Sequence, residues 1–174
     1  MKNGIENLTT YAAYHRDKRN ILTHFFGVPL IVLSVVILLS RPAFTTFSGV
    51  AITPALILAI LASLYYLSQD FWLGLILTAF LAGCVAIGQA TVPYDWTTWL
   101  IRGVSLFVIG WTLQFIGHYY EQRKPAFVDD LMGLMIGPMF VAAEIAFLLG
   151  LRKDLQAPIE KAVGPTLIRA SKVA

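Results

Sequence analysis

The chain is expected to fold as an all-α, polytopic helical bundle embedded in a membrane, and three observations predict it. Of its 174 residues, 57% are hydrophobic and only 13% charged, against about 45–50% and about 25% in soluble domains. Mean hydropathy is +0.72. Five apolar stretches, residues 21–40, 50–67, 71–90, 103–120 and 131–150, approach the roughly 20 residues needed to cross about 30 Å of hydrocarbon. The length suits a single membrane domain, residues 1–174, without room for a second.

The elements follow in order. Residues 7–18 read as a short N-terminal interfacial helix, with Tyr11 and Tyr14 suited to the headgroup zone. Backbone groups in hydrocarbon must be bonded within their own segment, so each apolar stretch reads as helix. Polar or turn-prone pieces separate them: Arg41 with Pro42, then residues 68–70, 92–95 and 121–130. No cleaved signal peptide is expected, because about twenty mostly polar residues precede an apolar run too long for an h-region.

Lys and Arg in the short flanks orient the spans. Lys2, Arg16, Lys18 and Arg19 precede the first span, whereas Arg41 stands alone after it. Arg123 and Lys124 follow the fourth span, and Arg152, Lys153, Lys161, Arg169 and Lys172 occupy the tail. The N-terminus, the fourth-to-fifth loop and the tail therefore all prefer the cytosolic side. Four transmembrane helices satisfy the first two. The fifth hydrophobic segment is then expected to be re-entrant, broken at Gly137–Pro138 where proline removes a helix bond; the alternative is a spanning segment that violates the charge rule. The bacterial inner membrane and the endoplasmic reticulum fit this pattern equally.

The formal net charge of +3 is scattered between apolar blocks, so lipid headgroups, not nucleic acid, are the expected partners. Cys84 is the single cysteine; it excludes an intramolecular disulfide and reads as a small buried hydrophobe.

Histidine occurs three times, at His15, His24 and His118. In this topology all three reach one membrane face, the cytosolic one. His15 and His24 are nine positions apart and would point in opposite directions on one straight helix. They share a site only if the chain breaks between them; residues 17–20 are the expected break, with Asn20 capping a helix that begins at Ile21. Pro29 is expected to bend that helix. Gln114, His118 and Glu121 fall at i, i+4 and i+7 on one helix face. Glu144 is isolated in an apolar run, where an ionisable group faces a cavity or a partner.

Two readings of these residues stand. One is a mononuclear metal site of three histidines, with Glu121, Asn20, Gln114 and Glu144 as further ligands or supports; imidazole and carboxylate suit iron(II), zinc or manganese, and open positions favour an iron oxygenase. The other is interfacial histidines bonded to headgroups and carbonyls. Such a protein would be a non-enzymatic lipid- or ion-handling protein with structural or proton-relay histidines, or a scaffold. Three histidines are too few for a membrane di-iron desaturase and lie too near the span ends for a mid-membrane bis-histidine haem. The sequence carries neither a phosphate-cradling glycine loop with lysine nor a Gly-x-Ser-x-Gly elbow.

Three blocks carry a resemblance. They are residues 14–30, from Tyr14-His15-Arg16-Asp17 to Thr23-His24-Phe25-Phe26-Gly27; residues 114–126, containing Gln114-Phe115-Ile116-Gly117-His118-Tyr119-Tyr120-Glu121; and Gly137-Pro138-Met139-Phe140 followed by Glu144. Together they resemble the 2-hydroxy fatty acid dioxygenase family of membrane proteins, over residues 11–151. The resemblance implies an iron(II)-dependent, non-haem α-oxidation in which a long-chain 2-hydroxy fatty acid loses one carbon, with O2 as co-substrate. His15, His24 and His118 match the family's essential histidines and are the implied catalytic metal ligands, with Glu121. The family pattern often has Phe where this chain has Tyr120, a change that bears on pocket shape and not on ligation. A 2-hydroxy carboxylate chelates a metal through its hydroxyl and one carboxylate oxygen. Three protein ligands on an octahedral iron leave room for that chelate and O2; were Glu121 a fourth, one position too few would remain, so Glu121 is expected to orient a histidine instead. Arg16, Lys18, Arg19 and Arg123 are available to attract the carboxylate, although solvated or lipid-facing positions are expected for most of them.

Overall fold

The computed structural model describes residues 3–126 and 131–168. Lys2, Arg169 and Lys172 of the flanking charges, and part of the loop counted at 121–130, lie outside the described residues. Among the described residues the fold is helical apart from one short hairpin. The elements are α1 (Gly4–Ala12), α2 (Lys18–Leu38), β1 (Thr45–Phe47), β2 (Val50–Ile52), α3 (Pro54–Gln69), α4 (Phe71–Thr91), α5 (Trp96–Glu121), α6 (Met132–Leu148) and α7 (Lys153–Val163). Helices α2, α4 and α5 are long and apolar enough to cross a membrane; α6 and α7, bent 107° from one another, add a fourth if the pair is one span. Side chains such as Leu61 and Leu64 of α3, Phe71 and Ile76 of α4 and Ile109 of α5 stay exposed, as lipid-facing surfaces do and water-facing ones rarely do.

Two compact units result, residues 29–111 and residues 1–28 with 112–174. In the first of these, the apolar stretch expected at 50–67 is not one helix. Its start is β2, paired antiparallel to β1 with Thr46 opposite Ala51. Ser48 and Gly49, both at positive φ, make the tight two-residue turn that such hairpins use. Gln89 pins the hairpin by accepting the Ala51 N–H (3.0 Å) and donating to its carbonyl (2.7 Å). Thr53 then caps α3, taking the Leu56 N–H, with Pro54 in the first turn. The remaining 16 residues cover only about 24 Å. Asp70 ends α3 and caps α4 through the Leu73 N–H at 2.9 Å. Gly74 lets the two helices touch, since a Cβ there would lie 2.6 Å from the Leu67 backbone. Cys84 is buried, as expected, against Val36 and Ala55.

The other unit is built around α6. Residues Ile136 to Glu144 are buried without interruption, the pattern of a helix enclosed on all sides. The break expected at Gly137–Pro138 is absent: α6 runs through Pro138. Gly137 instead makes room for α1, a Cβ there falling 3.1 Å from the Tyr11 hydroxyl. The chain turns later, where Gly150 and Arg152 take positive φ. Helix α1 spans residues 4–12 and not 7–18. Asn3 and Glu6 close its start with a reciprocal capping box. It packs on α6 and α7 through Leu8, Tyr11 and Ala12, so the Tyr11 ring is enclosed by protein.

Candidate metal centre

The site begins where α1 stops. Tight turns from Tyr14 to Tyr11 and from His15 to Ala12 end the helix. Asp17, not Asn20, caps α2: its Oδ1 takes the Arg19 N–H at 2.9 Å, and its carbonyl takes the Ile21 N–H. Helix α2 thus starts three residues earlier than expected, because an aspartate at residue 17 can reach the first free N–H groups, and Asn20 lies inside the first turn with its Nδ2–H given to Glu121. The break between His15 and His24 therefore lies at residues 13–17.

That break swings His15 onto His24, and α5 brings His118 to both. Ring centroids are 4.7 Å apart for His15 and His24, 5.0 Å for His15 and His118, and 5.2 Å for His24 and His118. Each ring offers one nitrogen, and these atoms all lie within 4.8 Å of one another. Nitrogens about 2.1 Å from a shared cation stand roughly 3 Å apart, so an inward shift of about 1 Å per ring closes the site. All three rings are buried, His15 and His24 almost wholly.

The free nitrogens are chosen by the backbone. His15 Nδ1 lies 2.8 Å from the Tyr11 carbonyl and His24 Nδ1 2.9 Å from the Asn20 carbonyl, each four residues back. Donating Nδ1–H there leaves both Nε2 lone pairs pointing inward, the arrangement in which outer hydrogen bonds orient metal-ligating histidines. His15 Nε2, His24 Nε2 and His118 Nδ1 have no hydrogen-bond partner among the described residues. Unmatched buried polar atoms are destabilising by about 1–3 kcal/mol each, and three acceptors cannot satisfy one another. Burial, with His24 alongside, holds His15 well below the usual imidazole pKa, so its lone pair is open. A cation is what this donor set fits.

Glu121 lies directly behind. Its two oxygens accept the Arg16 N–H (3.1 and 3.0 Å), the Asp17 N–H (2.8 Å) and Asn20 Nδ2–H (3.1 Å). The carboxylate thus ties the end of α5 to the break that positions His15. Asn20 turns its Oδ1 toward Gly117, whose Cβ, if present, would meet it at 2.4 Å and Thr23 Oγ1 at 2.2 Å. Glu144 is engaged with Arg16 at 3.0 Å. Arg16 is buried, unlike the solvated position expected, and its Nε donates to the Ala12 and His15 carbonyls. Its Nη1 donates to the Gly164 carbonyl, while Leu167 pairs its main chain with Arg16 and Lys18. The segment after α7 therefore closes the break from outside. Arg19 pairs with Asp17 and lies over Tyr120; Arg123 donates to the Ala13 carbonyl over Tyr14. Gln114 is buried, and its Nε2 has no partner among the described residues.

Sequence reasoning passed over two residues here. Tyr11 stacks on His15, centroids 4.1 Å apart and planes within 6°, with Phe140 5.0 Å away; its position four residues before His15 was the available signal. Gly117 is where α5 closely approaches the first turns of α2, against Asn20 and Thr23. Gly117→Ala is expected to force these helices apart, lowering stability by about 1–3 kcal/mol as overpacking does and weakening metal binding. A thermal melt with and without added metal checks this; an unchanged metal-dependent shift would refute the close-contact role.

A family model described as 2-hydroxy-palmitic acid dioxygenase Mpo1-like matches residues 1–149. The chain is also similar to the 2-hydroxy-palmitic acid dioxygenase MPO1 of Saccharomyces cerevisiae, at 31% identity over 152 residues, 86% of this chain and 83% of the yeast protein. No solved structure matches the chain significantly. The matched residues 1–149 take in all three histidines and Glu121, and they stop short of α7 and Leu167.

Proposed function

Because the chain belongs to the 2-hydroxy-palmitic acid dioxygenase Mpo1-like family, we propose that it is a membrane-embedded, non-haem iron(II) dioxygenase that shortens long-chain 2-hydroxy fatty acids by one carbon. The single observation that carries this reading is the set of three buried, unpartnered imidazole nitrogens within 4.8 Å of one another. For 2-hydroxypalmitate in its acid form the balance is C16H32O3 + O2 → C15H30O2 + CO2 + H2O. The substrate gives up four electrons and O2 accepts four, so no separate reductant is required.

His15, His24 and His118 are assigned as the metal ligands. Iron(II), when bound, supplies a meeting point for O2 and the chelating hydroxyl and carboxylate of the substrate, and a path for the electrons. The protein's part is to hold and to exclude. Tyr11 and Asn20 carbonyls keep the His15 and His24 rings in the tautomer that points Nε2 inward. Glu121 holds the break in register as a positioning residue. The Tyr11 and Phe140 rings against His15 keep water from that side, which suppresses uncoupled oxidation. The acyl chain would lie among apolar helices of a bacterial inner membrane or endoplasmic reticulum. N-terminus and site would be cytosolic, where Lys18, Arg19 and Arg123 flank them.

The test is O2 uptake by protein purified without air and supplied with iron(II). Uptake with 2-hydroxypalmitate, equal in amount to the CO2 released and absent with palmitate, is the expected result. Stoichiometric iron without uptake across several chain lengths would sink the substrate assignment; metal-free protein indifferent to added iron would favour a non-enzymatic lipid-handling role.

A further inference from the structure

Buried polar atoms without partners mark what a site is built to receive. Among the described residues of the unit that holds the histidines, five side-chain atoms are of this kind: the three imidazole nitrogens, Asn20 Oδ1 and Gln114 Nε2. The imidazole nitrogens face one another. Asn20 Oδ1 is packed toward the Gly117 backbone. Gln114 Nε2 is left: an amide donor on a side chain 6% exposed, with no acceptor among the described residues.

Its direction follows from α5. Gln114, Gly117, His118 and Glu121 are buried, whereas Phe115, Ile116 and Tyr119 between them are exposed. This is one helix face, with Gly117 and Glu121 meeting the first turn of α2. Gln114 therefore lies on the same face as His118, one turn and about 6 Å farther along the helix.

The proposed substrate has one group to match. A 2-hydroxy carboxylate that chelates through its hydroxyl and one carboxylate oxygen keeps its second carboxylate oxygen free, an anionic acceptor that would be buried and unpaired. We propose that Gln114 is the residue that reads this oxygen, its Nε2–H donating to the free carboxylate oxygen of the bound 2-hydroxy acid. The inference rests on the function proposed above. It makes Gln114 a specificity-determining residue that separates 2-hydroxy acids from other chelating lipids.

The test compares the dissociation constants of 2-hydroxypalmitate and hexadecane-1,2-diol for iron(II)-loaded, detergent-solubilised protein under argon, in wild type, Q114L and Q114E. The diol keeps two adjacent oxygens and lacks the third. Q114L is expected to keep its iron and to bind 2-hydroxypalmitate about ten- to hundredfold more weakly, the range for a hydrogen bond to a charged group, with diol binding changed less than about threefold. Q114E, of equal volume, is expected to weaken the acid at least as much by bringing two carboxyls together, and it stands alone as the test if Q114L does not fold. Equal weakening of acid and diol, or no change in either, would overturn the proposal by leaving Gln114 a packing residue. So would loss of iron in Q114L with iron and acid binding kept in Q114E, which would make the amide oxygen a metal ligand. Wild type that binds no 2-hydroxypalmitate would instead remove the proposed function itself, and this inference with it.

Discussion

His24→Ala is expected to strip the protein of bound iron and to abolish O2 consumption, while leaving it folded. The ring is held by one bond to the Asn20 carbonyl, and its other nitrogen meets no donor among the described residues. Without metal, removing that ring therefore removes an unmatched acceptor along with some packing, and the two effects oppose. With metal, one of three ligands is gone, and affinity should fall by more than the ten- to hundredfold found for residues behind the ligands. The sharpest readout is thermal stability. A ligand at about a hundred times its dissociation constant adds about 2.7 kcal/mol to the folded state, so wild type should melt higher with iron(II) or zinc. His15→Ala, His24→Ala and His118→Ala should each lose that shift. A variant that keeps both the shift and stoichiometric metal would remove its histidine from the site.

Glu121→Ala should have the second-largest effect, and for a different reason. Its carboxylate is the acceptor for the Arg16 and Asp17 N–H groups and for Asn20 Nδ2. Deleting it strands three buried donors; with water filling part of the gap, roughly 3–5 kcal/mol of stability should be lost. The break between α1 and α2 loosens, His15 is no longer held against His24, and metal affinity falls as a consequence. Glu121→Gln separates this from ligation, because its amide keeps one acceptor and turns a second donor toward the others. It should retain iron with affinity lowered about ten- to hundredfold and with partial activity. Unchanged melting and metal affinity in both variants would show that the break is held by other contacts.

Much of this was legible along the chain. Apolar runs located α2 and α4 within a few residues, and the end of α5 but not its start at Trp96, because backbone satisfaction in hydrocarbon leaves helix as the workable form. Residues 50–67 misled, since Val50, Ala51 and Ile52 are as apolar in a hairpin as in a span; Ser48-Gly49 was the local sign of the turn. At Gly137–Pro138 the local rule favoured a break, yet enclosure of α6 on every side and the approach of Tyr11 keep the helix continuous. Arg16 looked solvated because charge alone does not reveal a partner, and Glu144 stands 128 positions away.

The sequence by itself determined that the protein is helical, with helices apolar enough to cross a membrane, and that its three histidines needed a chain break to share a site. Hydropathy and residue spacing are local, so these could be read without coordinates. Only the tertiary structure decided where the break falls, that Glu121 holds it by accepting its N–H groups, and that Gln114 keeps an unmatched donor beside His118. The Glu121 contacts join residues about a hundred positions apart, which the packing of α2 and α5 sets and no local pattern encodes.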